Sequence, residues 1–218
     1  MNEDYHSSIF LYGPPGSGKT SVGKILAKNL NVDFVDLDEL IERETNHPIE
    51  DIFQREGETA FRQFETRALK KLSRTFQGVV SLGGGTLLSP ENRDIVEKQG
   101  IVMCLDGNLD TLAERLADAQ DIRPLIENDR KRLRDLLDNR ADHYRSFSLH
   151  LSTDKSSIEQ AAWSAQIQLG RYFIRGMGDG YPVVVQNGSL ADIGINCRNL
   201  NISGPILIVS DTNVYPLY

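Results

Sequence analysis

The stretch IFLYGPPGSGKT, residues 9–20, decides the architecture. IFLY (9–12) is a short apolar run before a glycine-rich turn, which reads as a buried strand. GPPGSGKT (13–20) fits the pattern G-x-x-x-x-G-K-[ST] of a phosphate-binding loop. Beyond it, Val22, Ile25, Leu26 and Leu30 recur at helical spacing and predict a first helix over 19–30. In a strand, glycine turn and helix of this kind, successive backbone N–H groups curl around one phosphate and the helix adds its positive N-terminal end. Lys19 is then placed for the β- and γ-phosphates and Thr20 for a magnesium ion. A chance glycine-rich turn explains the loop less well, because both flanking elements are present.

The rest of the chain repeats the alternation. DFVDLD (33–38) reads as a second strand ending in two aspartates. Residues 38–76 are charged with helical periodicity, punctuated by His47-Pro48 and Gly57. VVSLGGG (79–85) is a strand running into three glycines, and Ser89-Pro90-Glu91 reads as an N-cap with proline at the first helical position. IVMCL (101–105) and FSLHL (147–151) are further strands. Helices are predicted over 109–118, 126–145 and 155–171, with a polar segment at 119–124. Strands alternating with helices predict an α/β fold with a parallel sheet covered on both faces.

Composition narrows the function. The chain has 218 residues, 39% apolar and 25% charged, with a net charge of −7. No basic field suggests nucleic acid or an anionic membrane surface, so an anion must be held by a few placed Lys and Arg residues. No apolar run approaches a membrane span, and MNEDYHSS at the N-terminus is unlike a signal peptide. Cys104 and Cys197 form no disulfide framework and read as reduced thiols of a cytoplasmic protein. His6, His47, His143 and His150 lack metal-ligand spacing.

The second half of the site is read from weaker signals. Asp36 and Asp38 are assigned to opposite sides of a strand end, one holding a metal through water and the other facing an acceptor hydroxyl. GETAFR (57–62) puts Arg62 on a helix after a glycine break, where a surface arginine is the default reading. Gly83, Gly84 and Gly85 permit close backbone approach to a ligand. Arg123, before a proline in DIRPLI (121–126), sits as it would in a mobile lid. Arg140, in NRADHY (139–144), lies on an arginine-rich helix where most arginines are solvated.

Taken in order, GPPGSGKT, DLD, GETAFR, LGGG, RPL and R-x-x-x-Y resemble shikimate kinase over residues 7–172. The resemblance implies a three-layer, nucleoside-monophosphate-kinase-like fold with a parallel sheet and a mobile lid. It implies transfer of the γ-phosphoryl of ATP to the 3-hydroxyl of shikimate, with Mg2+. Gly16, Ser17, Gly18, Lys19, Thr20 and Ser21 match the ATP loop, and Thr20 and Asp36 the metal partners. Asp38 matches the acceptor-binding aspartate and base. Arg62 and Arg140 match the carboxylate clamp, Gly83 to Gly85 the substrate-side glycines, and Arg123 the lid arginine that meets the transferring phosphate. Lys19, Asp38 and Arg123 are thereby the catalytic group. Arg115, before the lid, is placed to stack on adenine. Two features depart from the family pattern: a slightly short spacing from Arg123 to Arg140, and ADH in place of the Pro-Leu that usually precedes the tyrosine. The alternatives are a kinase for another small hydroxy acid such as gluconate, and a catalytically silent ATP-binding regulatory module. The second would be expected to lack Lys19, Asp38 or Arg123.

After a glycine-rich link at 173–180, residues 181–218 read as two strands separated by a polar turn region, a short β-rich stub. YPVVVQNGSLADIG and ILIVSDTNVYPLY resemble the start of 3-dehydroquinate synthase, which implies a fragment of a bifunctional shikimate-pathway protein. The kinase portion is expected to be monomeric, and the unpaired strand edges of the stub to favour association.

Overall fold

A computed structural model of the chain describes residues 8–118, 130–176, 178–185, 193–199 and 204–205. Five parallel strands form one sheet in the order β2-β3-β1-β4-β5: β1 Ser8–Tyr12, β2 Asp33–Asp36, β3 Gly78–Ser81, β4 Gly100–Asp106 and β5 Leu149–Ser152. Parallel strands covered on both faces must be apolar throughout, and β1 is buried at all its positions. Its side chains alternate between the faces. Ile9 and Leu11 join Val22, Leu26 and Leu30 of α1 (Lys19–Leu30) and Ala161, Ala162 and Ala165 of α7 (Ile158–Leu169). Phe10 and Tyr12 join the opposite core, with Leu37 and Ile41 of α2 (Leu37–Thr45) and Ile52, Phe61, Ala68 and Leu69 of α3 (Ile49–Thr75). This is the three-layer α/β fold that the alternating pattern predicts.

The order of the strands places the site. From β1 the chain runs through α1 to β2, and through α2 and α3 back to β3. It then passes along α4 (Pro90–Gln99) over to β4 on the other side of β1. The carboxyl ends of β1, β2 and β3 therefore open on the crevice at a topological switch point. A third apolar cluster, Leu112 and Leu133 with Leu116 and Leu137, joins α5 (Leu109–Asp118) to α6 (Arg130–Arg145).

Several boundaries differ from the sequence reading. β2 stops at Asp36, not at residue 38, because the Asp36 side chain caps α2 by accepting from the backbone N–H of Asp38 and Glu39. The last helix of the kinase-like part ends at Leu169, where Gly170 takes the left-handed conformation at its C-cap. Arg171–Ile174 then form a strand, β6, paired antiparallel with β7 (Tyr181–Val184). The first two residues of the expected glycine-rich link, Phe173 and Ile174, thus belong to a strand. Part of the expected polar turn region is a short helix, α8 (Ile193–Asn199). The second expected strand of the stub, and the lid segment 119–124 with Arg123, lie outside the described residues. Among the described residues, no helix is long and apolar enough to cross a membrane. Cys104 is fully buried in β4, and burial pushes its thiol up to about 12, so it carries no thiolate chemistry at neutral pH.

Leu26 is fully buried between α1 and the sheet. Leu26→Ala is expected to cost about 2–5 kcal/mol of unfolding free energy through lost transfer energy and a residual cavity. Urea titration followed by circular dichroism measures it.

Candidate active site

The phosphate loop is held from beneath by its neighbours. Gly16 has φ +77°, and a Cβ there would lie 2.8 Å from the Leu112 carbonyl oxygen, so only glycine lets α5 pack on the loop. Gly18, also left-handed, begins α1, and no side chain caps that helix. Ser17 is buried and its backbone N–H donates to Pro14 O. The Lys19 ammonium donates to Gly13 O at 2.9 Å and Pro14 O at 2.8 Å, inside the loop. Ser21 lies one position further into the helix and is exposed. Arg115 donates to Thr153 O at 2.7 Å and Thr153 Oγ1 at 2.9 Å, and reaches Gly16 O at 3.5 Å. It therefore flanks the loop at the side where α5 meets the end of β5.

Next to the loop, three oxygens converge. The Thr20 hydroxyl donates to Asp36 Oδ2 at 2.7 Å and lies 3.3 Å from Ser81 Oγ. Asp36 Oδ1 accepts from Asp38 N at 3.0 Å, so the α2 N-terminus fixes the carboxylate while its other oxygen faces Thr20. The expectation of opposite strand sides does not apply, because residues two apart on one strand share a face and α2 begins at Leu37, between the two aspartates.

The acceptor side is organised by the three glycines after β3. A Cβ on Gly83 would come within 3.1 Å of Asp38 Oδ1 and of Glu65 Oε1. One on Gly84 would come within 3.1 Å of Gly13 O, in the phosphate loop. One on Gly85 would meet the Arg62 guanidinium at 2.8 Å. Three successive residues thus abut Asp38, the phosphate loop and Arg62, and any side chain would push one of them away. Gly57 breaks α3 with φ +82°, as expected, and Arg62 follows it. Arg62 donates to Glu65 Oε2 at 2.8 Å and Glu58 Oε1 at 2.9 Å. On the far side, Arg140 Nη1 donates to Gly84 O at 3.0 Å and Tyr144 Oη to the same oxygen at 2.8 Å. Asp38, Arg62, Gly83, Gly84, Gly85 and Arg140 therefore share one locality. Arg123 lies outside the described residues.

Glu65 did not stand out in the sequence. It is fully buried, accepts from the Thr86 hydroxyl and pairs with Arg62. Burial pushes its carboxyl above the ordinary carboxylate range, while Arg62 and Thr86 pull the other way. Burial alone would lower the Arg62 guanidinium, but the pairs with Glu65 and Glu58 more than offset it. Ser81 and Thr86 were likewise missed. The one available signal was position: Glu65 lies three residues after Arg62 on the same helix, and Ser81 and Thr86 flank the glycines.

A nucleoside-triphosphate loop at a switch point, a hydroxyl-carboxylate pair beside it and an adjoining cluster of one aspartate and two arginines define a P-loop kinase for a small anionic acceptor. Comparison with known proteins makes this specific. The family model for shikimate kinase matches residues 15–169. A shikimate kinase of Sulfurihydrogenibium sp. is 39% identical over 153 residues, covering 70% of this chain and 92% of that protein. One of Psychrobacter sp. is 44% identical over 140 residues, covering 63% and 77% respectively. The solved structure of shikimate kinase from Acinetobacter baumannii in complex with shikimate superposes with a TM-score of 0.71 at 35% identity, covering 76% of this chain and 94% of that one. This chain belongs to the shikimate kinase family.

The buried Glu65–Arg62 pair predicts a split between the two substrates. Glu65→Gln keeps an acceptor for Thr86 but removes the charge that orients Arg62. The KM for the acceptor is expected to rise about tenfold or more, on the scale of a broken charge-assisted hydrogen bond. The KM for ATP is expected to stay within about twofold, since nothing in the phosphate loop changes. Steady-state kinetics with each substrate varied in turn measures both.

Proposed function

We propose that this chain transfers the γ-phosphoryl group of ATP to the 3-hydroxyl of shikimate. The observation that carries the reading is the three-glycine strand end, which brings the phosphate loop, Asp38 and Arg62 against one another, in a chain of this family.

The roles follow from the chemistry of each group. Loop N–H groups and Lys19 hold the β- and γ-phosphates, for which Lys19 leaves the carbonyls of Gly13 and Pro14. Thr20, Asp36 and Ser81 offer only hard oxygen donors, which suits Mg2+ better than a softer metal. Among the described residues no group of three or more His, Cys, Asp or Glu side chains could hold a metal. Thr20 and Asp36 are the residues that would hold a magnesium ion, which would supply charge neutralisation to the phosphate oxygens. Arg62 and Arg140 bind the acceptor carboxylate, since a guanidinium offers two parallel donors. Asp38 orients the 3-hydroxyl for in-line attack and accepts its proton. Arg123 supplies positive charge to the transferring group from the lid, and Arg115 contributes to the adenine side. The reading of residues 181–218 as the opening of a 3-dehydroquinate-synthase-like domain rests on YPVVVQNGSLADIG and VSDTNVYPLY.

ADP release, measured with ATP and Mg2+ and with shikimate, gluconate or AMP as acceptor, tests the proposal. Release is expected with shikimate alone, and Asp38→Asn is expected to lower kcat about a hundredfold or more. Release with gluconate or AMP, or none from a folded, ATP-binding protein, would overturn it in favour of another acceptor or a silent regulatory module.

A further inference from the structure

Behind the glycine strand end, the last residue of β1 meets α6. Tyr12 is fully buried, with its hydroxyl 3.2 Å from Gly84 O. Arg140 Nη1 and Tyr144 Oη end on that same oxygen, at 3.0 and 2.8 Å. His143 Nε2 lies 3.1 Å from Tyr12 Oη, and its ring stands edge-on to Tyr12 and Phe147. A carbonyl oxygen has two lone pairs, and three donors converge on this one. A phenol has one proton, so Tyr12 donates either to Gly84 O or to His143 Nε2, never fully to both. Burial pushes the Tyr12 phenol far above its ordinary range, so the proton stays on. Burial of His143, with Arg93 of α4 and Arg140 of its own helix nearby, holds its imidazole below the ordinary histidine range. At neutral pH the ring is uncharged, and Nε2 is free to accept when the ring proton sits on Nδ1.

We propose that His143 is a positioning residue for the acceptor clamp: its Nε2 accepts the Tyr12 hydroxyl proton and thereby leaves Gly84 O to Arg140 and Tyr144. With two donors on two lone pairs, the Arg140 guanidinium is fixed in one orientation. Without the His143 acceptor, Tyr12 turns onto Gly84 O and competes with Arg140 for it. His143 does not touch the acceptor in this scheme and acts through Arg140, by keeping the Tyr12 hydroxyl off Gly84 O. The inference rests on the proposed reading of Arg140 as a carboxylate ligand.

The scheme predicts an unusual pattern of suppression. His143→Leu removes the acceptor while keeping an apolar side chain against Tyr12 and Phe147. It is expected to raise the KM for shikimate about 3- to 10-fold, on the scale of one misdirected hydrogen bond. The kcat and the KM for ATP are expected to stay within about twofold. His143→Gln, whose amide oxygen can accept the phenol proton, is expected to restore the KM. Tyr12→Phe has no proton to misdirect and is expected to bind shikimate as the unsubstituted protein does. The Tyr12→Phe/His143→Leu double variant is expected to do the same, so the loss of one partner cancels the loss of the other. A packing role alone would give additive losses, no rescue by Gln, and changes in thermal midpoint without a selective KM effect; that result overturns the inference. Should His143→Leu not fold, His143→Met takes its place in the same cycle. Arg140→Ala separates the two levels. An unchanged shikimate KM in that variant overturns the reading of Arg140 itself. A large rise there, with no effect of His143→Leu, overturns only the positioning role of His143.

Discussion

The strand end at Gly83 to Gly85 is the constraint on which the remainder of the site depends. A parallel strand leaving the sheet beside β1 must pass between the phosphate loop on one side and α3 on the other. The space is tight for a side chain, with Asp38, Gly13 O and Arg62 each about 3 Å from where one would start, so each would have to shift. The chain gains from this a fixed distance between the two halves of a transfer reaction. Phosphoryl transfer asks little covalent chemistry of the protein and a great deal of positioning. Here the position is set by sterics and by one carbonyl, Gly84 O, on which Arg140 and Tyr144 of α6 converge.

An acidic chain that handles anionic substrates must concentrate its positive charge. The net charge of −7 gives no long-range attraction for ATP or a carboxylate. The fold compensates locally. Lys19 is buried within the loop, and Arg62 is held by Glu65 from inside α3 and by Glu58 from outside. Glu65 is fully buried whereas Arg62 is partly exposed, so removing Arg62 would leave an uncompensated buried carboxylate. Glu65 is thus a scaffold for an arginine rather than a participant in proton transfer.

Much of the architecture was legible in the sequence because buried parallel strands are continuous apolar runs. IFLY, VVS and IVMCL could hardly be anything else, and the glycine loop after the first of them announces the helix that begins at Lys19. The end of β2 was misplaced because Leu37 continues the apolar rhythm, whereas the capping role of Asp36 depends on which backbone N–H groups it meets. β6 was absorbed into a helix and a linker, since RYFI is short and its partner lies beyond three glycines. The arginines and aspartates of the site were legible through their order along the chain. Glu65, Ser81 and Thr86 were not, because a buried carboxylate or hydroxyl looks in sequence like any residue on a polar helix face or at a turn. Tyr12 reads as the last apolar residue of a strand, and only its hydroxyl contacts give it a role.

The most direct test of the account is a crystal structure of this chain with ADP and shikimate bound. The account predicts the carboxylate of shikimate between Arg62 and Arg140, its 3-hydroxyl against Asp38, and its ring lying on the backbone of Gly83 to Gly85. Shikimate bound with its carboxylate away from both arginines, or with a different hydroxyl facing Asp38, would contradict the site as a whole.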